Sequence, residues 1–358
     1  MLYHPCKNYF RRKLCSLEYM LYYMSSNRPY KYRFEDAYMP NNGNRVLGIV
    51  KDPFYGHEPY MAACKEIGVG YIAVDIFASD WIAQIKKSKC DVFLVWPGES
   101  IQEIKQLYDD RLRFIVEHMG KKVFPDLTAT WIYGSKERQS LWMDLHDVPH
   151  PLTNIFYKKD EALGYVSSLS TYPIVAKMDI GAVSSGVRVL RSSAVAAKYI
   201  DDAFSAGIQG YFSDPQARQW RHVLFQEYLP EAREWRMVRV GDSFFGYIKE
   251  RNEKGFASGS HKWSWRDPGV KLLDFISGIT ERAGFRSVAI DVFQVPDGKL
   301  LVNEIQTVFG CSTPAEQMKI NGVEGRYRRL NGEWKFEQGS FCTNMCCNLR
   351  VEEALKLL

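Results

Sequence analysis

The chain has 358 residues, 46% hydrophobic and 25% charged, enough to bury two or three cores and too apolar for a disordered polypeptide. Its net charge of +5 arises before residue 46, where eight Lys/Arg face three Asp/Glu, and the rest of the chain balances. With no second basic cluster and no nucleic-acid-binding motif this is not a nucleic-acid footprint, and no run of roughly 18 to 20 apolar residues is present to span a membrane.

Residues 1–44 read as a basic, Tyr-rich extension. Within it Leu14, Leu17, Leu21 and Tyr22 recur at helical spacing behind Arg11-Arg12-Lys13, a stripe that suits docking on its own domain, or a membrane surface or partner. The eight cysteines follow no disulfide-framework spacing, and Cys342-x-x-x-Cys346-Cys347 lacks the second pair or neighbouring His of a zinc site. With no secretory signal either, a reducing, cytoplasmic location is expected.

From residue 45 to 125 short apolar runs alternate with amphipathic stretches: Val46 to Val50, Tyr71 to Ile76, Asp91 to Trp96 and Lys121 to Phe124 predict the strands of a parallel α/β domain. Its first loop, Val50-Lys-Asp-Pro-Phe-Tyr-Gly-His57, has no Gly-x-Gly-x-x-Gly turn, which disfavours a dinucleotide site. After Asp126 the texture changes to an α+β pattern, with strands expected at Tyr172 to Lys177, Gly186 to Leu190, Val223 to Tyr228, Arg236 to Val240 and Ser243 to Lys249.

Several of these pieces carry chemistry. The strand ending at Lys177 runs into Asp179-Ile-Gly181-Ala-Val-Ser184-Ser185-Gly186, and a lysine beside such a loop offers an ammonium and backbone N–H groups to phosphate oxygens; hairpin turns share the composition. In His222-Val-Leu-Phe-Gln226-Glu227-Tyr228-Leu229 the apolar run breaks at Gln-Glu, an edge able to offer backbone groups to a heteroaromatic ring or simply to leave the core at Pro230. Glu234, Arg236 and Lys249 alternate on a further hairpin.

Ser287 to Gln306 reads as another hairpin, with acids where packing favours apolar residues. A two-residue turn at Asp297-Gly298 puts Asp291 opposite Glu304 with Gln306 on their face, a hard-oxygen set suited to Mg²⁺. A three-residue turn pairs Asp291 with Asn303 and sends Glu304 to the other face. A solvated edge hairpin is the plainer alternative.

The order of Lys136, Pro-Ile-Val-Ala-Lys177, the glycine-rich loop, Gln-Glu-Tyr-Leu229, Glu-Trp-Arg236, Ile-Asp291 and Asn-Glu304-Ile-Gln306 resembles the ATP-grasp superfamily from about residue 45 to 310, closest to its glutathione-synthetase and ribosomal-protein glutamate-ligase branch. Phe256 to Ser260 and the tail from Gly325 to Trp334 are more loosely similar to ATP-grasp proteins of surface-polysaccharide gene sets. The resemblance implies an N-terminal parallel α/β domain, a lid subdomain (126–225) and a C-terminal antiparallel sheet (226–358), with ATP between the last two.

It also implies roles. Lys136 and Lys177 would meet the phosphates, with Gly181, Ser184, Ser185 and Gly186 as the loop above them; Gln226, Glu227, Tyr228 and Leu229 would hold adenine, and Glu234 the ribose. Asp291, Glu304 and Gln306 would hold Mg²⁺ or Mn²⁺, although the family pattern is Glu-x-Asn where this chain has Glu304-Ile305-Gln306. Arg236, Lys249, Arg251 and Ser260 would serve the reacting end. The implied activity joins a carboxylate and an amine, on small molecules or glycan-linked substrates, through an acyl phosphate; a kinase acting on a hydroxyl and a non-catalytic nucleotide- or glycan-binding protein are the alternatives. A homodimer is compatible with all three.

Overall fold

A computed structural model of the chain describes residues 33–358 apart from 42–44, 53–55, 99–101, 181–185, 211–217, 252–259, 261, 308 and 310–316. The Leu14 to Tyr22 stripe and loop residues Gly181, Ser184 and Ser185 lie outside the described residues.

The first domain contains β1 (Ala37–Tyr38), β2 (Val46–Val50), α1 (Glu58–Ile67), β3 (Gly70–Val74), α2 (Trp81–Ser88), β4 (Val92–Leu94), α3 (Gln102–Arg113) and β5 (Lys122–Phe124). Its sheet has the order β1-β3-β2-β4-β5, parallel throughout except for β1. Continuous apolar strands let both faces be covered. Leu47, Ile49 and Leu94 pack with Tyr60 and Met61 of α1, while Val50, Phe93 and Val95 pack with Tyr108 and Leu112 of α3. The sheet takes in Ala37 and Tyr38, so it begins inside the stretch read as an extension.

Next come α4 (Leu127–Ile132) and α5 (Lys136–Leu145), each opened by a side-chain cap. Asp126 accepts from Ala129 N–H, and Ser135 from Arg138 N–H. The sequence reading placed both helices in the lid. Their apolar faces instead bury Ala129, Ile132 and Met143 in one core with Met237, Ile290 and Ile305 of the C-terminal sheet.

The lid is built from β6 (Thr153–Phe156), α6 (Lys159–Ser168), β7 (Ile174–Lys177), β8 (Val187–Leu190), α7 (Ser193–Ser205) and β9 (Val223–Glu227). Strand order is β6-β9-β7-β8, all antiparallel. Ile174, Ala176, Val223 and Phe225 pack with α6 and α7 residues such as Val166 and Ile200. The period of two therefore turns Val175, Lys177, Leu224 and Gln226 to the other face. Where β8 returns against β7, a Cβ on Gly186 would stand 2.6 Å from the Met178 side chain, so this close approach requires glycine.

The C-terminal sheet comprises β10 (Arg233–Val240), β11 (Ser243–Lys249), β12 (Trp263–Ser264), β13 (Ser287–Gln294), β14 (Leu300–Gln306), β15 (Lys319–Ile320), β16 (Val323–Leu330) and β17 (Glu333–Gln338), with α8 (Gly269–Ala283) after β12. Its main order is β14-β13-β10-β11-β16-β15. Met237, Ile248, Ile290, Val292 and Ile305 form a core with Leu272, Leu273 and Ile276 of α8.

The last helix, α9 (Thr343–Leu355), returns to the first domain and adds Cys347, Val351 and Ala354 to its core. On α9 the fully buried Arg350 donates to the Phe309 carbonyl at 2.9 Å and lies over the Phe309 and Trp96 rings. Cys342, Cys346 and Cys347 are free thiols, the latter two buried. Among the described residues no helix is long and apolar enough to cross a membrane.

Candidate active site

The site grows from the β13–β14 hairpin. Val295 N–H donates to the Lys299 carbonyl and Gly298 N–H to the Val295 carbonyl, with Gly298 at φ +82°, so Pro296, Asp297 and Gly298 make a three-residue loop. The two-residue turn is thereby corrected: glycine takes the left-handed position that ends a three-residue loop. From the turn the ladder runs Gln294 with Leu300, Phe293 with Leu301 and Val292 with Val302, the register that would pair Asp291 with Asn303. A β-bulge between Val292 and Asp291 absorbs one residue of β14. Beyond it Asp291 pairs with Glu304, Ile290 with Ile305 and Ala289 with Gln306. The two acids meet as expected, but the bulge rather than the turn brings them together.

The adjoining strands supply the countercharges. β10 pairs with both β13 and β11, setting Arg236 beside Asp291, and Glu234 beside Lys249. Arg236 grips Asp291 through two bonds, Nε to Oδ1 at 2.7 Å and Nη2 to Oδ2 at 2.9 Å. Lys249 donates to Asp291 Oδ2 at 2.9 Å and also to Glu234. Burial would raise the Asp291 carboxyl, but Arg236 and Lys249 prevail and hold it well below the usual carboxylate range. Burial raises the Glu234 carboxyl against the pull of Lys249. For Lys249, burial favours the neutral amine, yet Asp291 and Glu234 more than offset it and raise the pKa.

The opposite wall comes from α5 and the lid. Lys136 Nζ stands 3.5 Å from Glu304 Oε1, and Lys177 Nζ donates to Asn303 Oδ1 at 2.8 Å. Burial disfavours the charged form of Glu304, yet Lys136 and Lys177 leave its pKa lowered. Burial pushes the Lys177 ammonium down to about 8, with Glu304 pulling upward and Lys136 adding to the fall. Lys136, Gln139, Ser140, Met143, Thr153, Lys177, Leu224, Gln226 and Asn303 line a cleft between lid and C-terminal sheet. Its floor is fixed by Gln139, whose Oε1 accepts from Ile305 N–H at 2.9 Å, and by Gln226, whose Nε2 donates to Thr153 Oγ1 at 3.2 Å.

The structure thus brings together Lys136, Lys177, Gln226, Glu234, Arg236, Lys249, Asp291 and Glu304. Gln306 follows Glu304 on the same face and is half-buried. Glu227 is exposed, its N–H donating to the Leu152 carbonyl at the cleft rim, and Tyr228 and Leu229 follow it. Two residues stand apart. Arg251 donates to the carbonyls of Pro230 and Ala232, and the Ser260 hydroxyl bonds within its own turn, to Lys262. Gln139 and Asn303 line the cleft without being marked by any motif; Asn303 turns on a bulge that no local pattern announces.

The donor set fits a hard divalent cation, since Asp291 and Glu304 present carboxylate oxygens across one rung and Gln306 adds an amide oxygen. Around it Arg236, Lys249, Lys136 and Lys177 give four cations against the three carboxylates Glu234, Asp291 and Glu304. That surplus suits a polyanion arriving with a metal.

A scan of protein-family models and a search of curated proteins find no match to the chain. Solved structures do match. A RimK domain protein ATP-grasp from Sphaerobacter thermophilus is 17% identical, with a TM-score of 0.51 over 73% of this chain and 90% of that one. N5-carboxyaminoimidazole synthetase from Staphylococcus aureus, complexed with ADP, is 12% identical, with a TM-score of 0.53 over 83% of this chain and 85% of that one. D-alanine–D-alanine ligase from Bacillus anthracis is 12% identical, with a TM-score of 0.52 over 87% of this chain and 98% of that one.

Proposed function

We propose that this chain, which has the ATP-grasp fold, is an ATP- and Mg²⁺-dependent ligase that joins a carboxylate to an amine through an acyl phosphate. The reading rests on one observation above the others. Two carboxylates face each other across one rung of a ladder, beside a lysine-walled cleft between two sheets. The structural relatives named above include two enzymes that bear the name synthetase or ligase.

A carboxylate and a terminal phosphate repel each other, so the chemistry needs cations fixed where charge accumulates. Mg²⁺, held by Asp291 and Glu304, would supply charge neutralisation at the transferring phosphoryl group. Lys177 and Lys136 stand where they would bind the polyphosphate, and Gln226 with the Glu227 to Leu229 backbone would face adenine. Arg236 and Lys249 sit behind Asp291 and fix its carboxylate. The acid's oxygen takes the γ-phosphoryl group and releases ADP; the amine nitrogen then attacks the acyl carbon and expels phosphate. No protein nucleophile is required.

The test is product analysis with Mg-ATP across a panel of carboxylates and amines. ADP together with free phosphate is expected only when acid and amine are both present. ADP with a phosphorylated hydroxyl product would instead make the chain a kinase, and nucleotide binding with no ADP under any combination would make it a binding protein.

A further inference from the structure

A second group of metal-ligating side chains lies at the junction of lid and α5, and the ligase reading does not use it. Glu137 sits in the first turn of α5, Asp179 two residues beyond β7, and His222 just before β9. The β7–β9 ladder pairs Lys177 with Leu224, and two steps further along the same register Asp179 and His222 stand across from each other. Gln219 ties these two strand ends, accepting from Asp179 N–H at 2.6 Å and donating to the His222 carbonyl at 3.0 Å. One ligand atom from each of Glu137, Asp179 and His222 lies within 4.8 Å of the other two.

Two observations point to a cation ligand. The first is the imidazole. His222 Nδ1 lies 3.0 Å from the Trp220 carbonyl, which can only accept, so Nδ1 is the donor there and Nε2 is the nitrogen left for a ligand. That Nε2 is buried and has no hydrogen-bond partner, and a ring nitrogen of His222 lies within 4.8 Å of an oxygen of each carboxylate. A carbonyl on one ring nitrogen and a free lone pair on the other is how proteins orient a metal-binding histidine.

The second is uncompensated charge. Asp179 is 8% exposed, and its Oδ1 accepts from Ser135 Oγ at 2.7 Å and from Glu137 N–H at 2.9 Å. Glu137 Oε2 accepts from Tyr157 Oη at 2.5 Å, and the Tyr157 ring stacks on His222. Among the described residues neither carboxylate has an ion-pair partner. Two carboxylates are thus held by neutral donors alone, with an oxygen of each within 4.8 Å of an imidazole nitrogen.

We propose that Glu137, Asp179 and His222 form a divalent-cation site, separate from the hairpin acids, that takes a transition ion such as Zn²⁺. An imidazole with two carboxylates favours Zn²⁺ over Mg²⁺, which prefers oxygen alone. Zinc–ligand bonds of roughly 2.0 to 2.2 Å place tetrahedral ligand atoms roughly 3.4 Å apart, so the three need only draw in by about 1.4 Å at most. The bound ion joins the first turn of α5, which carries Lys136, to the end of the strand that carries Lys177. It thereby fixes the two lysines relative to each other.

The test is calorimetric titration of Zn²⁺ into the full chain, without nucleotide and with Mg²⁺ in large excess, paired with Co²⁺ absorption as a direct signature of ligation. One Zn²⁺ per chain is expected. His222→Gln and Glu137→Gln, each checked for an unchanged circular dichroism spectrum, should each weaken binding at least about tenfold and abolish the Co²⁺ signal. Glu304→Ala should leave both intact. Absence of saturable Zn²⁺ binding, or binding that survives in both variants because thiols elsewhere hold the ion, overturns the proposal. Because no nucleotide is present, the outcome is independent of the ligase reading.

Discussion

Asp291 and Asp179 are both buried aspartates beside the same cleft, at 1% and 8% exposure, and the chain treats them in opposite ways. Asp291 meets a bidentate arginine and a lysine. Asp179 receives only a hydroxyl and a backbone N–H. A carboxylate neutralised by its own protein is stable without metal and can exchange partners when a metal-bound polyanion arrives. One supported only by neutral donors, as Asp179 is, has no ion-pair partner among the described residues and would gain one from a bound cation. On the two proposals above, the difference would separate a site for a cycling substrate from one for a resident ion.

The largest effect is expected at the hairpin. Glu304→Ala removes the carboxylate facing Asp291 and should lower Mg²⁺-dependent ATP turnover by about 10³-fold or more, the range in which charge stabilisation at a phosphoryl group operates. Zn²⁺ binding in the same variant should be unchanged. Turnover within tenfold of the parent would remove the metal assignment at Glu304.

The two aspartates should also differ in what they contribute to stability. Arg236→Ala leaves Asp291 buried against Lys249 alone and should cost about 3 to 5 kcal/mol in urea unfolding, the usual penalty for breaking a buried pair from one side. Asp179→Asn keeps an oxygen to accept from Ser135 and Glu137 and loses no ion pair, so in metal-free protein it should cost about 1 kcal/mol or less. Equal losses would mean that Asp179 is compensated after all.

The pH dependence of nucleotide binding offers a smaller effect with a definite sign. Lys177, with its pKa pushed down to about 8, is charged at pH 7 and neutral well above 8. Mg-ATP affinity should therefore be flat below pH 8 and fall by up to about tenfold per unit above it, until the bound-state pKa is reached. Lys177→Arg should keep affinity flat through pH 9, because guanidinium stays protonated there. A fall that persists in the arginine variant would assign the titration to another group.

The sequence disclosed the elements more fully than the junctions between them. The parallel strands of the first domain and the strands ending at Lys177 and Lys249 follow from apolar runs of the right length, a local signal. Arg236, Lys249 and Asp291 share a face because period-two alternation is also local. Packing of α4 and α5 with the C-terminal sheet, rather than the lid, was not legible, since their apolar residues fit either partner. Nor was the Glu137–Asp179–His222 group, whose members are 42 and 43 residues apart and meet only through strand pairing and the approach of a helix.

The hairpin register shows how a correct pairing can be reached from a wrong turn. With Pro296-Asp297-Gly298 as a three-residue loop, Asp291 and Glu304 would point to opposite faces were it not for the bulge, so the extra residue, Asn303, is what aligns them. It also has a second role, because its Oδ1 accepts from Lys177 at 2.8 Å and holds the ammonium in the cleft. Asn303→Ala keeps the backbone count, and with it the register, but removes that acceptor. A charge-assisted hydrogen bond contributes about 1.5 to 3 kcal/mol, part of which nucleotide phosphates would restore once bound. The expected result is therefore a loss of about 1.5 to 3 kcal/mol in stability without nucleotide, a smaller loss with Mg-ATP bound, and kcat nearly unchanged. A drop in kcat matching that of Glu304→Ala would mean instead that the bulge had collapsed and the acids had parted, which the Asp291–Glu304 pairing in a crystal structure of the variant would decide.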